Sequence, residues 1–289
     1  MKALVTGAGG QVARALIAAA PPGWTIAPMT RADLDVTDRA AVETTVATVA
    51  PDLIINAGAY TAVDRAESES EAAFAVNRDG PAHLAAAARA AGSRLVHFST
   101  DFVFDGRSGR PYRPDDEPAP ASVYGASKLA GETAVLETCP EALIVRTAWV
   151  YGPIGGNFLT TMLRLMAERP ELEVVADQIG TPTSTLTLAP AVWGFAAAGA
   201  RGIWHFTDAG AASWYDFAQA IAEEALAAGL LGTAPPIRPI ATIDYPTAAA
   251  RPAYSVLDKS AAFALLGGPA PHWRVALRQV LREMKASRG

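Results

Sequence analysis

The chain opens with a short β-branched run that stops on a cluster of glycines. Lys2-Ala3-Leu4-Val5-Thr6 reads as a strand, Gly7-Ala8-Gly9-Gly10 as a tight turn, and the residues from Gly10 to Ala20 as a helix. A strand fed straight into a helix must pack that helix back onto its own sheet, which begins a βαβ unit. The rhythm then repeats. A strand is predicted at 25–29, a helix at 38–50 with Thr37 as N-cap, and a third strand at 53–55. Helical signal runs from 69 to 91, broken near Asn77-Arg78-Asp79-Gly80-Pro81, and a fourth strand covers 94–98. A helix at 123–137 and a fifth strand at 142–146 follow. Strands alternating with Ala-rich helices define an α/β fold: a Rossmann-like, doubly wound parallel sheet with both faces covered.

After residue 150 the rhythm loosens. Helices are predicted at 158–168 and 185–197, and Gly202-Ile203-Trp204-His205-Phe206 as a strand returning to the sheet. Ser213 caps a further helix, with Asp216 in its first turn. The stretch 233–253, rich in Pro, Ala and Thr, reads mostly as loop, and an amphipathic helix covers 273–285. The expected organisation is a nucleotide-binding part at 1–150, completed by the returning strand near 202–207, and a smaller C-terminal lobe at 151–289.

Hydrophobic residues make up 51% of the chain and charged residues 18%, enough to build a core and unlike a disordered chain. The net charge of −5, with both signs interspersed, lacks the basic field that nucleic acid demands. A small anionic ligand needs only a local cation. No apolar run is long enough to cross a bilayer, and the apolar start is too short for a signal peptide. One cysteine, Cys139, cannot form an internal disulfide and reads as a small buried hydrophobe. A cytoplasmic protein that binds neither nucleic acid nor membrane is expected.

Three patterns carry chemistry. The first is the turn Thr6-Gly7-Ala8-Gly9-Gly10-Gln11-Val12-Ala13. Glycines let backbone approach a pyrophosphate, and the helix N-terminus that follows offers free N–H groups. Ala13 stands where a third glycine often lies, and is small enough for close helix–strand packing. Placed between a first strand and a first helix, this turn points to a dinucleotide. Arg31, just past the second strand, is placed to receive a 2′-phosphate, which favours NADPH; Asp33 and Asp35 nearby leave NADH open. The second pattern is Tyr124-Gly125-Ala126-Ser127-Lys128. The i, i+4 spacing puts the phenol and the ammonium on one helix face. An ammonium nearby is expected to lower the tyrosine's pKa from about 10 and tune it for proton transfer. The third is Ser99-Thr100-Asp101 at a predicted strand's carboxyl end, where sites in open parallel sheets form. Thr100, Tyr124 and Lys128 are the candidate proton-handling set.

Together, TGxxGxx(G/A), a strand-end Thr and YxxxK resemble the extended short-chain dehydrogenase/reductases. Further strings narrow the resemblance: Asn56 to Glu67, Ser99 to Gly106, Tyr124 to Glu132, Arg146 to Gly152, Asp177 to Thr183, and Arg251 to Asp258. These are similar to the dTDP-4-dehydrorhamnose reductase family over nearly the whole chain. The resemblance implies reduction of a dTDP-4-keto-6-deoxysugar by NADPH, with NADH possible, and Tyr124 as proton donor. It implies that Gly10, Gln11 and Val12 contact the pyrophosphate, Asp35 and Val36 the adenine, and Ala59, Tyr60 and Thr61 the rest of the cofactor. Thr100, Asp101 and Trp149 would contact the sugar, and Asn157, Gln178 and Arg251 the nucleotide.

Some members of that family hold a metal between subunits through glutamates. Here the corresponding stretches read Arg14-Ala15-Leu16 and Ser184-Thr185-Leu186-Thr187, leaving only Glu283. No metal is expected, and a monomer or weak homodimer. In dehydratases resembling this family a Glu follows the Thr-Asp pair; Phe102 stands there and cannot move a proton. Reductases of other dTDP-4-keto-deoxysugars and a catalytically silent regulatory subunit remain alternatives.

Overall fold

The structure is a computed structural model that describes residues 1–287; the last two positions of the expected lobe, 288–289, lie outside the described residues. The first half reads β1 (Lys2–Thr6), α1 (Gln11–Ala18), β2 (Thr25–Met29), α2 (Arg39–Val49) and β3 (Leu53–Asn56). Short helices α3 (Val63–Ala66) and α4 (Ser70–Phe74) lead into α5 (Gly80–Ala91), then β4 (Arg94–Thr100), α6 (Val123–Thr138) and β5 (Leu143–Thr147). The second half adds β6 (Val150–Tyr151), α7 (Phe158–Glu168), β7 (Leu172–Val175), β8 (Ile179–Gly180), β9 (Thr183–Ser184) and α8 (Thr185–Ala197). It closes with β10 (Gly202–His205), β11 (Ala212–Ser213), α9 (Trp214–Ala228), β12 (Ile237–Ile240), α10 (Ser260–Leu265) and α11 (Trp273–Ala286).

Six strands form one sheet in the order β10-β5-β4-β3-β1-β2, every pairing parallel. Alternate residues feed opposite faces, as the two-residue period of a strand requires. Val5, Ile55, Val96 and Val145 meet Leu16 of α1 and Val192 and Phe195 of α8. Leu4, Ile54, Leu95 and Ile144 meet Val46, Leu84 and Val135 on the other side. The order in which strands are added reverses between β1 and β3, which opens a crevice at their carboxyl ends. A third core joins α7, α9 and α11 through Leu159, Met162, Phe217, Ile221, Leu277 and Val280.

Two local readings are corrected and a third is refined. Asp38, not Thr37, caps α2, its carboxylate accepting from the Ala41 N–H at 3.0 Å. The Thr37 hydroxyl is already committed to Asp35 at 2.7 Å. The predicted break near Asn77 is no break: a π-helical turn, Ala75–Asp79, splices α4 to α5. Pro81 falls directly after that turn, whose last bond runs from the Gly80 N–H to the Ala75 carbonyl. The stretch 233–253 is mostly loop, as expected, and holds one short strand, β12, which pairs with β7. Pro239 fits because such a short strand presents one edge without a neighbour.

Helix α6 is fixed to the sheet by a buried ion pair. Arg146 of β5 donates from Nε to Glu132 Oε1 at 2.9 Å and from Nη2 to Oε2 at 2.7 Å. Both side chains are 2% exposed. Such a pair adds little net stability, but removing one partner strands the other charge in the core. Glu132→Ala is therefore expected to cost about 3–5 kcal/mol in urea unfolding; a loss under about 1 kcal/mol would show that the pair is not buried as described.

Candidate active site

The site begins where β1 ends. Gly7 has φ of +66°, and a Cβ there would lie 2.7 Å from the backbone of Gly58. Only glycine makes this approach between the β1 and β3 ends without strain. Helix α1 then starts at Gln11 with Gly10 as N-cap and no side-chain cap. Its first N–H groups face outward as an anion cradle. These features fit a dinucleotide pyrophosphate. Arg31 stands exposed beyond β2; the Asp35 pKa is lowered chiefly by its bonds from Thr37, with the Arg31 charge adding the least. Asp35 accepts from the Thr37 N–H and hydroxyl, and Val36 is buried.

The glycine turn reaches into the second half of the chain. Gln11 donates from Nε2 to the Val150 carbonyl at 3.0 Å, and Asn157 Nδ2 donates to Gln11 Oε1 at 3.2 Å. Asn157 also caps α7, accepting from the Thr160 N–H. Val12 is half-buried against the sheet core. Two of the predicted ligand residues, Gln11 and Asn157, are thus brought together. Gln178, by contrast, donates to the Thr242 hydroxyl at 3.1 Å. Arg251 grips Asp64 with both Nη atoms, at 3.0 and 2.7 Å, which holds the Asp64 carboxyl below the usual range.

Ser122 caps α6 and sets Tyr124 and Lys128 in its first turns. Gly125 lets the helix approach the strand end: a Cβ there would meet the Phe102 carbonyl at 2.2 Å. Lys128 is buried, and its ammonium donates to the Phe98 carbonyl of β4 at 2.6 Å. Burial pushes it down to about 8, against the pull of Glu132. Burial pushes the Tyr124 hydroxyl up to about 12; the nearby Thr100 hydroxyl offsets part of that rise and the Asp101 charge adds a little to it. The expectation of a depressed tyrosine is corrected: Lys128 spends its charge on a carbonyl, and desolvation decides the sign. Tyr124 therefore keeps its proton at neutral pH. Phe102 packs edge-on against its ring, centroids 5.5 Å apart.

Residues that the sequence reading passed over brace this corner. Asn77, buried in the π turn, accepts from the Tyr60 N–H at 2.8 Å and donates to the Tyr60 carbonyl at 3.0 Å. It also donates to Ser127 Oγ at 3.0 Å, and Ser127 donates to the Tyr124 carbonyl at 2.8 Å. The chain Tyr60–Asn77–Ser127–Tyr124 thus joins the loop holding Ala59, Tyr60 and the exposed Thr61 to α6. A buried polar residue between two helical halves was the available signal. Trp149 follows β5 with φ of +48°, a conformation costing a non-glycine residue about 1–3 kcal/mol.

A dinucleotide cradle at the sheet's switch point and a Thr–Tyr–Lys set at the end of β4 define the class, a Rossmann-type NAD(P)H-dependent oxidoreductase. The model of the family described as "RmlD substrate binding domain" matches residues 1–286. The chain belongs to that family. It is 45% identical over 287 residues to a Mycobacterium tuberculosis protein named dTDP-4-dehydrorhamnose reductase, covering 96% of this chain and 91% of the relative. A crystal structure of a dTDP-4-dehydrorhamnose reductase from Clostridium acetobutylicum superposes with a TM-score of 0.92 at 38% identity, covering 99% and 100% of the two chains. One from Bacillus anthracis, in complex with NADP, gives 0.92 at 37%, covering 98% and 99%.

Asp101 supplies a pH signature. It is buried beside Thr100, whose hydroxyl donates to it at 3.0 Å, and burial raises its pKa from 3.8 to about 6. A carboxyl raised on folding destabilises the native state once ionised, a cost absent at low pH that grows as pH rises through about 6. Asp101→Asn removes that cost. Its stability relative to the parent is expected to improve by about 2–3 kcal/mol between roughly pH 4 and pH 8. A difference that stays flat in urea unfolding over that range would contradict the assignment.

Proposed function

We propose that the chain reduces the 4-keto group of dTDP-4-dehydro-β-L-rhamnose to give dTDP-β-L-rhamnose, with NADPH as reductant and Tyr124 as proton donor. The observation that carries this reading is the placement of Tyr124 and Lys128 in the first turns of α6, which Gly125 brings against the carboxyl end of β4 beside Thr100, with the Tyr124 hydroxyl protonated at neutral pH. The bound nicotinamide supplies the hydride that reduces C4. As charge grows on the former keto oxygen, Tyr124 gives up its proton and Thr100 steadies the oxygen with a hydrogen bond. Lys128, one turn along, anchors the helix and faces the cofactor ribose. Gly7, Gly10, Gln11 and Val12 cradle the pyrophosphate. Trp149 walls the sugar, Asp101 lies beside it, and the lobe built from 151–289 supplies most of the nucleotide contacts.

Phe102 supports reduction over elimination. Dehydration across C5–C6 needs a further acid–base group beside the Thr-Asp pair, and an aromatic ring stands there, packed on Tyr124. With dTDP-4-dehydro-β-L-rhamnose as substrate, Tyr124→Phe is expected to lower kcat by roughly two to four orders of magnitude, while NADPH binding, followed by fluorescence titration, stays within about twofold because the phenyl ring keeps the helix packing. Near-parental turnover would refute the proton-donor role. Arg31 gives a separate test. Arg31→Ala is expected to cut the kcat/KM preference for NADPH over NADH roughly tenfold, the worth of one charge-assisted contact; a parent enzyme that strongly prefers NADH would remove that role.

A further inference from the structure

Trp149 occupies left-handed backbone, with φ of +48°. A tryptophan stays there only if its surroundings over-determine it. Three restraints do so. Its carbonyl accepts from the Thr183 N–H at 3.1 Å, which starts the pairing of β6 with β9. Its indole fills the space over Gly180, where a Cβ would lie 2.5 Å from Trp149 Cε2. Its ring also lies face to face with Trp214, centroids 3.5 Å apart and planes 4° from parallel. The first two restraints come from backbone, while the third is a side chain at the head of α9.

Trp214 is itself held from both sides. It directly follows β11, whose Ala212 pairs with Gly180, so the strand pairing that places the gap under Trp149 also places the partner ring. Ser213 and Asp216 close a capping box around the first turn of α9, with Ser213 Oγ accepting from the Asp216 N–H at 2.9 Å. Phe158 of α7 packs against the Trp214 ring at 4.7 Å, and Phe158 stacks in turn on Phe217 in the lobe core. Both tryptophans are only half-buried. Rings that merely filled a core would be covered, whereas this pair stands at the mouth between β5 and the lobe.

We infer that Trp214 is a positioning residue for the sugar: through its stack it holds the Trp149 indole in the strained orientation that walls the sugar ring. The inference rests on the reading that Trp149 faces the sugar of a dTDP-linked substrate. Trp214 touches no reacting atom and acts only through Trp149. Its loss therefore weakens recognition of the sugar and leaves the nucleotide's share of affinity intact.

The test is calorimetric titration of dTDP-β-L-rhamnose and of dTDP alone against the NADP-loaded full chain, with a double-mutant cycle. Trp214→Leu is expected to weaken dTDP-β-L-rhamnose roughly threefold to tenfold, the worth of an aromatic stack, and to leave dTDP within about twofold, inside the spread of unrelated sites. In a Trp149→Leu background the same change is expected to add nothing, since the stack is already gone. Trp214→Phe keeps a smaller face, gives a weaker effect of the same sign, and carries the cycle if the leucine variant does not fold. Equal weakening of both ligands, or additive effects in the double variant, would overturn the inference. A loss with Trp149→Leu but none with either Trp214 variant would overturn it and leave the sugar-facing reading standing. A parent protein that binds neither ligand would remove the reading and the inference together.

Discussion

The corner where α6 meets the end of β4 depends on one buried charge. Lys128 reaches off α6 into the sheet and donates to the Phe98 carbonyl at 2.6 Å. An ammonium taken out of water is costly unless it is bonded and paired. The carbonyl supplies the bond, and Glu132, one further turn along the helix, supplies a favouring field. Glu132 is in turn held by Arg146 of β5. Tyr124, Lys128 and Glu132 therefore form a ladder at i, i+4, i+8 on one face of α6, bolted to two adjacent strands. Once that face is fixed, Tyr124 can only emerge at the end of β4, opposite Thr100.

The same rigidity explains the protonation states. Thr100 is the last residue of β4, and Asp101 begins the short turn beyond it. Asp101 is buried and Tyr124 half-buried, and desolvation rather than nearby charge sets the sign of each one's shift. Tyr124 is pushed up to about 12 and Asp101 up to about 6. A phenol that holds its proton until an oxygen of higher basicity develops beside it suits a donor. The brace through Ser127, Asn77 and Tyr60 joins the Tyr124 backbone to the loop at the end of β3, so the two are set together.

Much of this was legible in the sequence because local signals carried it. The alternating runs of β1 to β5 followed from period, and the glycine turn from its place between strand and helix. Tyr124 and Lys128 shared a face by helical spacing alone, and the Ser213–Asp216 cap was visible as a motif. What was hidden is long-range. The strands β8, β9 and β11, two residues each, have no periodicity to read. The Trp149–Trp214 stack and the Arg251–Asp64 pair join segments far apart in the chain. The π turn at Asn77 looked like a break because Asn, Asp, Gly and Pro cluster there, yet its buried amide bonds to three groups. The direction of the Tyr124 shift needed burial, which spacing does not give.

An aromatic run leads away from this corner into the lobe: Trp149 on Trp214, Trp214 on Phe158, Phe158 on Phe217. It ties the segment that follows β5 to the core of the lobe, and Phe102 packs on Tyr124 without a titratable group. The central claim is that this arrangement performs net reduction of a 4-keto sugar. The most direct measurement is NMR of the sugar formed from dTDP-4-dehydro-β-L-rhamnose, with NADPH oxidation followed in the same sample. One NADPH oxidised for each dTDP-β-L-rhamnose formed is the expected result. An unreduced 4-keto sugar, or turnover without net NADPH consumption, would contradict it.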